Sequence, residues 1–376
     1  MPHVLPTTGL IAQKKPFWGS APKSAWNVLF AVLAFGVLGL RLYHCTRMPA
    51  HTGDIARHLL YGLAVNRWGL AAAAHSLVEF NPAFASISWS HLPFNYPVLT
   101  LLFFSAVAAI LPTLFFARLC LTLLEGLSAI FIYGTTGERW LALLYWASPL
   151  SIWWTSREGQ FEALQNVLVF LALYLLKRRP AIAFLVLGLA IQVKLSAFLL
   201  LPVFVLALPT RATRQTLACL GGFAASLLPT GIACLYYPAL AQIQYSAPLL
   251  YNPYYWNILD RPMFSWNPGW MIWFNQIGSY GILTLVLVWF LRSKNRVAYL
   301  APIAFLVACK WHKNVQFWYM QLFPSFTLPI PEPRLRLVLF LVVPLLDIYS
   351  LAMVWCGPLY LGVGGYYGQL TPFTRF

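Results

Sequence analysis

Long apolar runs separated by short polar segments fill most of this chain, and several approach the ~20 residues that a helix needs to cross hydrocarbon. The alternating ~10-residue segments of a membrane β-barrel do not occur. The pattern therefore predicts an all-α fold, a polytopic transmembrane helical bundle. The apolar runs lie at Trp26–Leu42, 97–116, 118–134, 140–155, 162–176, 181–193, 195–209, 216–236, 270–291, 297–309, 315–330 and 337–355.

Composition supports this prediction. Hydrophobic residues make up 60% of the 376 residues and charged residues only 9%, whereas soluble domains carry about 25% charged residues. A water-soluble domain is therefore excluded. The six cysteines show no CxxC or other metal-ligand spacing, so we expect them to act as small hydrophobic residues.

The net charge of +16 is spread over short basic clusters between the apolar runs. Such clusters are typical of cytoplasmic loops under the positive-inside rule. They do not form a basic groove interleaved with aromatic residues, so we expect no nucleic-acid partner. The clusters are Lys177–Arg179, Arg211/Arg214, Arg292/Lys294/Arg296 and Arg334/Arg336.

Charge parity constrains the number of spans. Lys177–Arg179 is cytoplasmic only if an even number of spans precedes it, yet five apolar runs do. Because Pro97 and Pro112 bracket the 97–116 run, we expect that run to lie along the outer interface. About eleven spans then remain, in one membrane domain over residues 1–376.

Two outer loops follow from this scheme, at 44–117 and 237–268. The first contains Asp54, within His51-Thr-Gly-Asp54-Ile-Ala-Arg57-His58. A carboxylate in the first turn of a helix is favoured by the helix dipole alone. Alternatively, a carboxylate held at the membrane surface accepts a proton from an attacking hydroxyl while the protein excludes water.

A second polar group interrupts two spans in Ser156-Arg157-Glu158-Gly-Gln160-Phe-Glu162. Glu158 and Glu162 are four residues apart and share one face if the segment is helical. A simple turn needs no such concentration of polar residues, so we expect this segment to contribute to a site. Glu125 lies within an apolar run, where an ionisable residue is either functional or satisfied by a neighbouring helix.

A third group is cationic: Lys310-Trp-His312-Lys313-Asn-Val-Gln316. Clustered positive charges suit a phosphate or pyrophosphate, and Arg57, Arg118, Arg157 and Lys194 can add to them. The alternative is a set of lysines that reach the membrane interface beside an aromatic belt.

Metal binding is the less favoured interpretation of the histidines. His51, Asp54 and His58 are spaced i, i+3, i+7 and share a helix face, and imidazole and carboxylate are common metal ligands. Interfacial histidines serve many other purposes. We expect no required cofactor.

The order of these segments resembles that of the GT-C superfamily, the membrane glycosyltransferases that use polyprenyl-phosphate sugars. Gly53-Asp54-Ile-Ala-Arg57-His58 resembles the GD-x-x-x-x-RH element of the dolichyl-phosphate-glucose glucosyltransferases, with Arg57-His58 closer to the acid. Asn95-Tyr96-Pro97-Val98-Leu99-Thr100 is similar to their D-Y-P-P-L-T, with Asn in place of Asp.

Three later segments extend this resemblance, which covers roughly residues 26–325. Gly159-Gln160-Phe-Glu162-Ala-Leu-Gln-Asn166 is similar to the G-H-F-Q-Y-N element of the same glucosyltransferases. The stretch from Ser148-Pro149 to Gly159 and the one from Gln316 to Pro324 are similar to motifs of GPI and bacterial polyprenyl-dependent mannosyltransferases.

The resemblance implies a GT-C-like fold with Asp54 as the catalytic residue. It implies an inverting transferase that moves a hexose, mannose before glucose, from a polyprenyl-phosphate sugar to a glycolipid or glycan acceptor. It places the site on the extracytoplasmic face of a bacterial inner membrane or an ER-type membrane. The residues expected to bind the donor are Arg57, His58, Arg157, Glu158, Gln160, Glu162, Lys194, His312, Lys313 and Gln316.

Two alternatives from other functional classes stay open. A carrier or flippase for a lipid-linked sugar would share a basic site for lipid phosphate. A non-catalytic subunit of a membrane assembly would not need Asp54 or Glu162.

Overall fold

The computed structural model describes residues 23–47, 52–87, 90–208, 213–238, 256–257, 269–311, 314–315 and 321–341. Helices dominate these residues, and the described part of the chain contains one short strand pair, Trp256–Asn257 parallel to Asn314–Val315. The all-helical class predicted from the sequence is therefore confirmed.

The helices come in the following order. They are α1 (Lys23–Thr46), α2 (Thr52–Trp68), α3 (Leu77–Phe80), α4 (Val98–Ile110), α5 (Leu114–Thr136), α6 (Arg139–Trp146), α7 (Pro149–Ser151), α8 (Glu162–Leu176), α9 (Pro180–Val193), α10 (Leu201–Leu206) and α11 (Thr213–Tyr236). Further helices are Gly269–Arg292, Leu300–Trp311, Phe323–Thr327 and 333–341. Short 3₁₀ helices are Leu70–Ala74, Pro82–Ser86, Leu195–Leu200 and Arg296–Tyr299, and Ile152–Arg157 is a π-helix.

Three of the described helices are long and apolar enough to cross a membrane: Ala25–Thr46, Leu114–Thr136 and Thr213–Tyr236. Other apolar helices are shorter, among them α8 and α9. The count of eleven spans and the GT-C-like arrangement stay predictions. The second predicted outer loop, 237–268, lies almost entirely outside the described residues.

One end of the bundle, which we call the site end, gathers polar groups from three helices. Arg118, near the start of α5, donates from Nη1 to the carbonyl of Arg157 at 3.0 Å. Glu162 begins α8, and its carboxylate pairs with Lys194, which directly follows α9. The start of α5, the start of α8 and the end of α9 therefore lie together.

The opposite end, which we call the far end, brings together the other ends of the same helices. Arg178, just after α8, donates from Nη2 to the carbonyl of Gly134 in the last turns of α5 at 3.5 Å. Arg336 pairs there with Glu138, which precedes α6, at 2.5 Å. Helices α5 and α8 thus run from the site end to the far end, and the 139–157 segment and α9 return.

The 97–116 run forms α4, whose 13 residues span only about 20 Å at 1.5 Å per residue. Thr100 donates from Oγ1 to the carbonyl of Val193 at 2.9 Å, which places the start of α4 at the site end. Three residues link α4 to Leu114, which begins α5 at that same end. Both ends of α4 therefore lie at the site end, and the placement of this run along the outer interface stays a prediction.

The 140–155 run, expected as one helix, is broken in two. Helix α6 ends at Trp146, and a new helical segment begins at Pro149 and continues into the π-helix. Proline has no backbone N–H and disfavours helical geometry at the residue before it, here Ser148. The break redirects the chain toward Glu158–Glu162.

Apolar packing holds these helices in place. The main core joins α5, α8 and α9 through fully or almost fully buried residues such as Ile132, Phe170 and Phe184. A second cluster joins α2 and α4 to the start of α5 and α8, through Ile55 and Phe104 among others. The segment that holds α2 and α4 is therefore packed against the site end of the bundle.

Candidate functional site

Asp54 lies in the first turn of α2 and is half-buried. Its Oδ2 accepts a hydrogen bond of 3.0 Å from Nε2 of Gln160, a residue 106 positions later in the chain. The amide donor fixes the orientation of the carboxylate.

The position of Gln160 follows from the π-helix before it. The backbone N–H of Gln160 donates to the carbonyl of Trp154 at 2.8 Å, and that of Gly159 donates to Thr155 at 3.1 Å. Gly159 has φ of 76°, a left-handed conformation that favours glycine. A Cβ at Gly159 would overlap Cδ1 of Ile55, the neighbour of Asp54. The two motifs meet here because this residue carries no side chain.

Glu162 and Lys194 form a buried ion pair at the same end of the bundle. The Glu162 side chain is fully buried and the Lys194 side chain is 12% exposed. Nζ of Lys194 also lies 5.6 Å from the ring centroid of Phe161. Asp54 is near enough for its charge to act on Glu162. Removing one member of such a buried pair typically costs about 3–5 kcal/mol, because the other charge is left unpaired.

Arg57 is buried and holds the 92–95 segment against α2. Its Nη1 and Nη2 each donate to Oδ1 of Asn95 at 3.2 Å, and Nη2 donates to the carbonyl of Pro93 at 2.6 Å. The two motifs that contain Arg57 and Asn95 are thus joined directly. Both Nη atoms of this guanidinium bind the protein, whereas the buried Nε has no hydrogen-bond partner among the described residues.

Arg157 is more accessible than Arg57 and Lys194, with its side chain 21% exposed. Its guanidinium stacks over the ring of Trp153 at 4.2 Å, and Nε lies 3.9 Å from Oε1 of Glu158. Glu158 itself is fully buried. Arg157 therefore carries the more accessible charge of this pair, while Glu158 is enclosed.

His58 lies inside a set of aromatic rings. Its ring stacks on Phe104 at 5.1 Å and meets Phe94, Tyr96 and Phe161 edge-on. Neither ring nitrogen has a hydrogen-bond partner among the described residues. Burial, and then the nearby positive charges, hold the pKa of His58 well below its ordinary value. A neutral His58 packed in this way supports the site from behind.

Four residues of the predicted site lie outside the described residues: His51, His312, Lys313 and Gln316. Among the residues that the structure does describe, no group of three or more His, Cys, Asp or Glu is placed to hold a metal ion. The structure brings together Asp54, Gln160, Glu162 and Lys194, and Arg157 and Glu158 lie in the segment that directly precedes Gln160.

Sequence reasoning missed Arg41, whose fully buried guanidinium reaches Ser156 at the start of the polar segment, with Nη1 to Oγ at 3.0 Å. The available signal was one arginine inside an otherwise apolar run, which is costly in a membrane and is retained for a reason. The role of Asn95 as a partner of Arg57 was also missed.

No protein-family model, curated protein or solved structure matches this chain. The likeness to membrane glycosyltransferases therefore depends on the motifs alone.

Proposed function

We propose that this protein is an integral membrane glycosyltransferase that uses a polyprenyl-phosphate sugar and inverts the anomeric configuration. The observation that carries the proposal is the Asp54 carboxylate, half-buried and oriented by Gln160. The buried Glu162–Lys194 pair lies beside it, at one end of a bundle that contains membrane-length helices.

The proposed reaction is a single displacement. An acceptor hydroxyl oxygen attacks the anomeric carbon, and its proton passes to the Asp54 carboxylate. The bond between that carbon and the phosphate oxygen breaks, and the polyprenyl phosphate leaves with the electron pair. A phosphate is a good leaving group without protonation, so one carboxylate is sufficient, unlike the pair used by glycoside hydrolases. Attack opposite the leaving group inverts the configuration.

Positive charge near the leaving phosphate would stabilise the developing negative charge. The accessible guanidinium of Arg157 is suited to this role. Lys194, His312 and Lys313 were also expected to contribute; in the structure, Lys194 is paired with Glu162. No resident metal or cofactor takes part in this proposal.

The proposed sugar is a hexose, mannose before glucose, and the proposed acceptor is a glycolipid or glycan on the extracytoplasmic face. Mannose is suggested by the segments from Ser148 to Gly159 and from Gln316 to Pro324, which are similar to mannosyltransferase motifs. Glucose is suggested by Gly53-Asp54 and Gly159-Gln160-Phe-Glu162, which are similar to glucosyltransferase motifs.

The test uses purified protein with radiolabelled polyprenyl-phosphate mannose or glucose and a membrane lipid extract as acceptor. We expect label in a new product with inverted anomeric configuration. In sealed vesicles, labelled donor that crosses the bilayer unchanged would instead identify a carrier. If neither product nor transport is detected, the result would fit a non-catalytic subunit and would contradict the proposal.

A further inference from the structure

A polar network of buried side chains surrounds the π-helix, and Arg41 of α1 is one of its members. The Arg41 side chain is fully buried although it lies in a candidate membrane span. Nε and Nη2 donate to the carbonyl of Trp146 at 3.0 and 2.7 Å, and Nη2 also donates to Oγ of Ser151 at 2.9 Å. Nη1 donates to Oγ of Ser156 at 3.0 Å. All three guanidinium nitrogens thus bind the segment that leads into, or lies in, the π-helix.

Thr155 anchors the π-helix on another side. Its Oγ1 donates to Oε1 of Gln321 at 2.8 Å and lies 3.4 Å from Oε1 of Glu125. Both Thr155 and Glu125 are fully buried. Thr122 of α5 donates from Oγ1 to Ser156 at 3.0 Å. The π-helix is therefore hydrogen-bonded to α1, to α5 and to the segment at Gln321.

Backbone hydrogen bonds connect this helix directly to the candidate site. The N–H groups of Glu158, Gly159 and Gln160 donate to carbonyls within it, at 3.0, 3.1 and 2.8 Å. No flexible linker separates the π-helix from Gln160, so a displacement of one moves the other. π-Helices recur at functional sites, where their wider turn re-aims neighbouring residues.

We propose that Arg41 and Thr155 are positioning residues that hold the π-helix so that Gln160 stays hydrogen-bonded to Asp54. Glu125 completes the anchor beside Thr155. The effect on sugar transfer rests on the proposed function, whereas the effect on the geometry of Gln160 does not. A network that only stabilised the fold would leave Gln160 protected in variants that remain folded.

The test measures the exposure of position 160 directly. In a Gln160→Cys background of the full chain in detergent, the rate of reaction with a polar maleimide at that position is followed by peptide mass spectrometry. The buried native Cys219 serves as an internal reference. Thr155→Val removes the hydroxyl and keeps the side-chain shape, and Thr155→Ser keeps the hydroxyl as the matched control.

We expect Thr155→Val to raise labelling at position 160 about tenfold, the order expected from loss of a buried hydrogen bond. Thr155→Ser should label like the parent, and Cys219 should not change. Parent-like labelling in Thr155→Val overturns the proposal. If Thr155→Val also exposes Cys219, that variant is globally unfolded and Ser156→Ala replaces it. Ser156→Ala should then raise labelling at position 160 and leave Cys219 unchanged, and parent-like labelling at position 160 overturns the proposal.

Transfer assays separate this proposal from the proposed function. In the native Gln160 background, Thr155→Val should lower kcat with little change in KM, and Thr155→Ser should restore it. A parent protein that transfers no sugar would remove the proposed function, while the labelling result would still decide the positioning role.

Discussion

Gly159 is a residue at which the two halves of the candidate site lie in close contact. Its φ of 76° strains any other residue, and a Cβ there would overlap Ile55 next to Asp54. We expect Gly159→Ala to lower the free energy of unfolding by more than about 2 kcal/mol and to reduce transfer, since α2 must move away from Gln160.

Gly137 provides a matched control for that substitution. Its φ of 72° is nearly the same, but a Cβ there meets nothing within 4 Å. Gly137→Ala should therefore cost only about 1 kcal/mol, from backbone strain alone, and leave transfer unchanged. Thermal unfolding and transfer assays of both variants check this difference, and equal effects would contradict the overlap at Gly159.

His58 is expected to make stability depend on pH. Because its pKa is lowered in the folded protein, the unfolded chain takes up a proton near pH 6.5 while the folded chain does not. Stability should be fully present above about pH 6.5 and fall by up to about 1.4 kcal/mol per pH unit below it. This loss continues until the pH reaches the folded-state pKa.

His58→Phe should remove this pH-dependent part of the stability, because a phenyl ring suits the aromatic surroundings and does not titrate. The measurement compares thermal unfolding of the parent and the variant between pH 7 and pH 5. We expect the variant to gain stability relative to the parent as the pH falls. Parallel pH profiles would show that His58 is not held neutral.

At the scale of single elements, apolar runs predicted helices well where no proline intervened. The run at 162–176 became α8 with the same limits, and 181–193 became α9 with one added residue. The 140–155 run was broken at Pro149, and the π-helix that follows was not predicted. Hydrophobic periodicity does not predict so short a π-helix, because tertiary hydrogen bonds from Arg41 to Ser156 and from Thr155 to Gln321 hold it.

Close packing of α9 and α11 depends on Gly222. A Cβ there would overlap the carbonyl oxygen of Ala181, whereas its neighbour Gly221 faces open space. Small residues let helices approach closely in membrane proteins. Gly222→Ala should therefore destabilise the protein by about 1–3 kcal/mol.

Gly221→Ala is the control in the same helix. It should be neutral or stabilising by up to about 1 kcal/mol, since alanine is the better helix former. Thermal unfolding of the two variants in one detergent is the measurement. Equal stability of the two variants would show that α9 and α11 do not approach as closely as described.

For the whole molecule, the sequence correctly separated two groups of polar residues. Charge parity put the Ser156–Glu162 turn and Lys194 on one side and Lys177–Arg179 on the other, and the structure places them at opposite ends of α8 and α9. The pairing of Glu162 with Lys194 and of Gln160 with Asp54 could not be predicted. Pairings between residues far apart in the chain depend on how helices pack, which hydrophobic periodicity does not encode.

Labelling in intact cells tests the orientation of the two ends. Ala85 is exposed in the predicted first outer loop, and Arg179 is exposed at the far end. A membrane-impermeant maleimide should label Ala85→Cys in intact cells and Arg179→Cys only after permeabilisation, each resolved by peptide mass spectrometry. The reverse pattern would place the candidate site on the cytoplasmic face.

The central claim is that Asp54 accepts the proton of the acceptor, and Asp54→Asn tests it most directly in the transfer assay. Glu79→Gln is the matched control, because Glu79 is an exposed carboxylate in the first turn of another helix of the same loop. We predict that Asp54→Asn, at unchanged expression and thermal stability, lowers transfer at least about a hundredfold, while Glu79→Gln retains it. Transfer by Asp54→Asn at the rate of the parent would contradict the account.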